Sequence, residues 1–475
     1  MPARNLVFPG RHHVGVSPRN AVDARQMMLL GIWIVSFTVS LDLVYEFKLF
    51  DFTALVGILA FGRVVAWNQI REDRLVGWTV AFFAVAVWGC LVTLGRGASV
   101  FWALVLGIRL FRLLGYVMIF WIIRYLPLNG RQLTRLLLVM LLACVVQSAL
   151  IVLQQYDLVP LLWPEKERIY GDVGPSGTLG INHLNVVLFM SVAAACIMAL
   201  WRGRRQFSLL LRLGLLGALP LMATAVVYGR ARSAFLAGAA LAFGAVRRLQ
   251  GVVIMALTLA MVAASGTWTM LDSRTEYAEL AQNKIVDKWD AETGTAAELY
   301  GLDVTRPYIW GKTVRALVGR PDVLLFGTGF QNYRNLDTGA AAGHCVYLHV
   351  LVELGVVGLI VFLRWMRSLW GNLRVLERHP QLAPSVAGHA GIMCLLTLLV
   401  VGIFNETLYP SRAVPGFMGF ASAFFAIVTH RGWRTAPGGG RLSAPPPQPM
   451  AGRARPAFGH SWAPTVPAPL AKTPT

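Results

Sequence analysis

The segment Gly343-His344-Cys345-Val346-Tyr347-Leu348-His349-Val350-Leu351-Val352-Glu353-Leu354-Gly355-Val356-Val357-Gly358-Leu359 places a histidine where a long hydrophilic stretch, 271–342, gives way to a run apolar enough to enter a bilayer. A titratable side chain at such a boundary can meet water and a lipid-linked substrate together. That points to chemistry on a lipid carrier rather than to simple transport.

Outward from this segment the chain is apolar almost throughout. Its 475 residues are 56% hydrophobic and 14% charged, with mean hydropathy +0.58. Soluble domains are about one-quarter charged. Apolar runs long enough to cross the hydrocarbon core recur at 27–45, 51–67, 75–94, 100–123, 134–154, 183–201, 207–228, 232–247, 251–270, 343–363, 386–404 and 412–430. The expected fold is therefore all-α, a polytopic membrane bundle of about twelve spans. Spans one to nine fill 27–270 and spans ten to twelve fill 343–430. Arg109 and Arg112 interrupt the fourth span, and such residues face a bundle interior or snorkel to an interface. The eighth is short and rich in Ala and Gly, which suits close helix packing. Residues 1–26 are polar and basic, without the short apolar core of a cleavable leader.

The arginines set the orientation. With the N-terminus inside, the inner segments carry Arg4, Arg11, Arg19, Arg25, Arg71, Arg74, Arg124, Arg131, Arg135, Arg202, Arg204, Arg205, Arg247, Arg248, Arg364, Arg367, Arg374 and Arg378, while the short outer turns carry few cations. Both termini are then cytoplasmic. The net charge of +20 is dispersed over separate loops, which argues for topology and against nucleic acid. In a background lacking the five native cysteines, an impermeant thiol reagent added outside is expected to label Thr295→Cys and to spare Ser443→Cys. The opposite pattern would put the proposed site on the wrong face.

Two longer segments, about 155–182 and 271–342, lie outside under this topology. The second contains Trp289, Tyr300, Tyr308, Trp310 and Tyr333, too aromatic for a disordered linker, and is expected to fold as short helices over the bundle. Thr305 with Pro307 reads as a helix start that sets Arg306 and Trp310 on one face. The tail, 431–475, with Gly438-Gly439-Gly440 and Pro445-Pro446-Pro447, reads as disordered and cytoplasmic. Cys90, Cys144, Cys196 and Cys394 read as packing residues inside spans. Cys345 and His344 are sequence neighbours and do not face each other on a helix. No metal-spaced cluster occurs, so neither metal nor cofactor is expected.

Three elements carry the candidate site. His344 reads as a general base, with Tyr347, Leu348 and Leu351 on its face if the helix includes it. His349 and Glu353, four apart inside the apolar run, read as an internal structural pair. Gly229-Arg230-Ala231-Arg232-Ser233, at an outer turn, breaks the charge rule. Guanidinium suits phosphate through its bidentate fork, so Arg232, Arg230 and then Arg306 are the candidate diphosphate ligands. Leu324-Leu325-Phe326-Gly327-Thr328-Gly329-Phe330 reads as a tight turn returning the chain to the membrane rather than as a nucleotide site.

These elements, in this order, resemble the O-antigen ligase and O-antigen polymerase superfamily of bacterial envelope glycosyltransferases. Gly177-Thr178-Leu179-Gly180-Ile181-Asn182-His183-Leu184-Asn185 resembles the family's outer loop entering the next span. Arg232-Ser233 resembles its Arg-Ser/Gly turn, 306–330 the ends of its large outer loop, and 344–359 its His-Asn-x-Tyr-Leu…Glu-x-Gly…Gly segment. The position after the histidine, often Asn in the family, is Cys345. The orienting role of that Asn does not carry over directly, and Asn332 and Asn335 stand nearby in sequence.

The resemblance implies transfer of a glycan from undecaprenyl diphosphate to an acceptor hydroxyl on the periplasmic face of the bacterial inner membrane. The acceptor would be the lipid A-core for a ligase, or a growing polysaccharide for a polymerase of O-antigen or exopolysaccharide. It implies His344 as base, Arg232, Arg306 and Arg230 on the diphosphate, no metal requirement, and Trp310, Tyr347, Asn182 and Asn185 as glycan or acceptor contacts. A transporter or flippase is the alternative from another class. The span number suits it and Arg109 and Arg112 can line a path, but no two-half similarity is visible.

Overall fold

The computed structural model describes residues 22–44, 46–62, 73–97, 99–162, 175–180, 182, 184–201, 207–229, 305–336, 344–410 and 415–434, with isolated positions between 233 and 240. Predicted spans eight and nine, most of the long outer loop, the N-terminal arm and the tail from 435 lie outside them.

Twelve helices run through the described residues: α1 Ala24–Ser36, α2 Leu49–Phe61, α3 Arg74–Gly95, α4 Val100–Tyr125, α5 Gly130–Gln155, α6 Leu184–Trp201, α7 Leu209–Tyr228, α8 Thr305–Val318, α9 Pro321–Phe326, α10 Val346–Glu377, α11 Leu382–Val401 and α12 Phe417–Val428. Seven of these, α3 to α7, α10 and α11, are long and apolar enough to cross a membrane. The protein is a helical membrane protein. The shorter α1, α2 and α12 occupy the first, second and last predicted spans.

Local chemistry fixes the helix starts. Asp23 and Gln26 form a reciprocal capping box on α1, and Asn129 with Gln132 does the same for α5. Ser99 caps α4 through the Trp102 amide. All twelve residues of α12 are buried. It is only about 18 Å long and apolar on every side, so it serves as the bundle's axis and need not match the bilayer. It packs on α4 and α11, while α10 packs on α3 and α11.

The fold is not purely helical. A two-stranded hairpin, β1 Asp42–Val44 and β2 Phe47–Lys48, joins α1 to α2. Both helices have 13 residues, about 20 Å, and the hairpin with the start of α2 meets the third and fourth turns of α4. There Glu46 accepts from Arg109 at 2.9 and 3.0 Å, and Asp51 accepts from Arg112 at 2.8 Å. The arginines that interrupt the fourth span therefore face the interior and are held by carboxylates. At the other end Arg124 is buried against Asp73 at 2.6 Å, so it is a lock between α3 and α4 rather than a free inner cation. Burial alone would raise the Asp73 pKa, but the Arg124 charge and hydrogen bonds hold it below the usual value.

The predicted tenth span departs from a simple helix. α10 breaks at Gly355, whose φ is 68° and ψ −173°. A break leaves carbonyls without helical partners, which hydrocarbon does not tolerate. The predicted turn supplies them: the Thr328 amide donates to the Val352 carbonyl at 2.7 Å and the Gly329 amide to that of Glu353 at 3.0 Å. Gly327 (φ 79°) and Gly329 (φ 110°) both adopt left-handed backbone. A Cβ on Gly327 would collide with the Glu353 carbonyl, and one on Gly355 with the Leu325 carbonyl. Only paired glycines allow the two backbones to meet so closely.

Candidate functional site

His344 stands at the start of α10, half-buried, with φ 46°. It is not in the helix, which begins at Val346 behind the N-cap Cys345. The helical-face argument linking His344 to Tyr347 and Leu348 therefore fails, because a left-handed residue breaks the helical spacing. The helix start is pinned elsewhere: the Val346 amide lies 2.9 Å from the Gly402 carbonyl and 3.1 Å from that of Asn405.

One turn deeper lies a buried polar cluster. His349 Nε2 is 2.9 Å from Glu353 Oε1, the internal pair expected from their spacing. Its Nδ1 is 3.1 Å from Glu406 Oε1, close but poorly aligned for a hydrogen bond. The other Glu353 oxygen accepts from the Gln331 amide at 2.7 Å and the Tyr409 hydroxyl at 2.5 Å. Tyr333 stacks on the imidazole with centroids 5.2 Å apart, and its hydroxyl meets that of Thr313 at 2.7 Å. Burial, with Glu406 and Glu353 nearby, pushes the Tyr333 phenol up to about 12, so it stays protonated. Burial and the Glu353 charge raise Tyr409 likewise. The cluster ties α10 to the returning outer loop and to the 402–410 segment. Buried charges of this kind hold geometry only while every partner is present.

The other candidate residues divide. Asn182 accepts from the Leu184 amide at 2.8 Å and so caps α6. Asn185 is fully buried and donates to the Leu179 carbonyl at 2.7 Å, closing the turn that contains Gly180. The Tyr347 hydroxyl donates to the Leu399 carbonyl at 3.0 Å, fastening α10 to α11. These three side chains make structural hydrogen bonds at α6 and between α10 and α11. Trp310 lies in α8, its ring 6.1 Å from that of Phe404. The helix starts at Thr305, as read from the sequence, but the Arg306 side chain, like Arg230, Arg232 and Asn335, lies outside the described residues. Asn332 donates to the Thr328 carbonyl at 3.3 Å. Among the described residues, no group of three His, Cys, Asp or Glu side chains forms a metal site.

Sequence reasoning did not find Glu406, Gln331 or Tyr409, because only the fold brings them to His349. It also passed over Arg96, although under the topology read from the arginines that residue falls in an outer turn, Gly95-Arg96-Gly97, and breaks the charge rule as Arg230 and Arg232 do.

No family model matches the chain, and no curated protein matches it.

Proposed function

We propose that this chain is a membrane glycosyltransferase of the O-antigen ligase type, with about twelve spans, both termini cytoplasmic and its site on the periplasmic face of the bacterial inner membrane. The donor is a glycan on undecaprenyl diphosphate and the acceptor a sugar hydroxyl, on lipid A-core or, for a polymerase of the same superfamily, on a growing polysaccharide. The observation that carries this reading is the position of His344. It is half-buried, held in a left-handed turn at the mouth of a broken membrane helix, between the outer loop and the bundle.

The chemistry follows from that position. The acceptor oxygen attacks the anomeric carbon from the face opposite the diphosphate. His344 takes the hydroxyl proton as the bond to the diphosphate oxygen breaks. The leaving group gains charge, and Arg232, Arg306 and Arg230 are the cations assigned to it. The buried His349 cluster positions the loop and has no place in the proton transfer. Arg109 and Arg112, each committed to a carboxylate, fit structural pairs better than a transport path.

The test replaces Arg232 and Arg306 by Lys, separately. Charge stays but the bidentate fork goes, so transfer from a lipid-diphosphate glycan is expected to fall at least about tenfold with normal membrane insertion. Near-normal transfer by both variants excludes the clamp.

A further inference from the structure

Where α3 ends and α4 begins, the described residues enclose a cavity of about 150 Å³, lined by Thr93, Arg96, Trp102, Leu106, Gln331 and Asn332. It opens at the same end of the bundle as His344, since Gly329 packs against Gly89 and Thr93 of α3. His344 does not line it. An apolar cavity of this size accepts a benzene ring, but these walls are mixed: Trp102 and Leu106 are apolar, and Thr93, Arg96, Gln331 and Asn332 are polar.

The cation in it is only loosely paired. Arg96 Nη1 donates to the Thr328 carbonyl at 3.2 Å, and Nη2 lies 3.4 Å from Asp322 Oδ2. The same oxygen lies 3.5 Å from Arg320 Nη2. Charge-assisted pairs close to about 2.7–2.9 Å when fully formed. Two guanidiniums thus share one carboxylate at long range, leaving an excess positive charge at the rim. An arriving anion can take Arg96 while Asp322 falls back on Arg320.

The remaining walls suit a sugar. Trp102 is 41% exposed, with the Arg109 guanidinium 5.5 Å from its ring centroid. An indole face packs against the C–H face of a pyranose, and primary amides bond to hydroxyls as donors and acceptors. Gln331 and Asn332 are fixed for that role by bonds to the Pro410 and Thr328 carbonyls.

We propose that this cavity binds an anionic saccharide, a sugar ring bearing a phosphoryl group. The proposal goes beyond glycan transfer and stands if that activity is absent. The test titrates the full chain, in nanodiscs of neutral phosphatidylcholine, with glucose 1-phosphate, inorganic phosphate and glucose by calorimetry. Glucose 1-phosphate is expected to bind about tenfold more tightly than either alone, and Arg96→Gln to remove that advantage. Asp322→Asn, an exposed change that leaves the loop's backbone contacts alone, is expected to tighten binding several-fold. Farnesyl-phosphate-linked glucose separates the sources: tighter binding than glucose 1-phosphate assigns the site to a lipid-borne sugar, equal binding to a soluble one. The proposal is overturned if inorganic phosphate binds as well as glucose 1-phosphate, if Asp322→Asn gives no gain, or if phosphatidylglycerol nanodiscs alone block the site.

Discussion

His344→Asn is expected to lower glycan transfer by about 10²–10⁴, the usual range for removing a general base, while donor binding and folding stay near normal. Asparagine is the informative replacement because the residue holds φ 46°. Asn tolerates left-handed backbone better than other non-glycine residues, so the turn survives and only the base is lost. His344→Ala adds backbone strain to the same chemical loss and should be no more active. His349→Ala is expected to behave differently. It removes the imidazole from between Glu353 and Glu406, 2.9 and 3.1 Å away, and leaves two carboxylates facing each other in a buried site. Its main effect is loss of folded protein. The measurements are in vitro transfer from a lipid-diphosphate glycan, donor binding in parallel, and the yield of monodisperse protein. Transfer by His344→Asn within a few-fold of wild type would mean that the base is elsewhere.

Arg112→Met should be the most damaging single change in the membrane-embedded core. Asp51 is 1% exposed, and its carboxylate accepts from Arg112 at 2.8, 3.0 and 3.3 Å. Methionine fills much of the volume but leaves that charge unpaired. Breaking a buried pair in this way costs about 3–5 kcal/mol. Adding Asp51→Asn should recover most of the loss, because an amide oxygen still accepts from the Lys48 amide, which now donates to Asp51 at 2.9 Å. Thermal unfolding in detergent, read by size-exclusion fluorescence, distinguishes the cases. A single Arg112→Met variant as stable as wild type would show that the Arg112–Asp51 pair does not hold the fold.

Helices were readable from the sequence because a bilayer demands long apolar runs, and each predicted span within the described residues contains one. What local pattern could not supply is the partner of each interrupting charge. Arg109 and Arg112 announce an interior position, but their partners lie about 60 residues earlier: Glu46 in the turn of a hairpin with no strong strand signal, and Asp51 in the first turn of α2. The break at Gly355 was hidden for another reason. Glycine in an apolar run is compatible with a continuous helix, and only the Gly327-Thr328-Gly329 turn, arriving from outside, reveals why it breaks. His344 was singled out by its place at a boundary, while its left-handed backbone, which removes Tyr347 from its face, follows from tertiary packing. The pair at 349 and 353 was legible through spacing of four; Glu406 joins it only in three dimensions.

The plugged break in α10 also bears on how the chain is made. Thr328 and Gly329 precede the carbonyls they cap by 24 residues. During synthesis from the N-terminus, the capping turn is therefore complete before the segment that needs it leaves the ribosome. If that turn is already across the membrane, the exposed carbonyls of Val352 and Glu353 meet their donors as they enter the bilayer. The order of the two elements along the chain spares the insertion machinery an unfinished helix, and the reverse order would not.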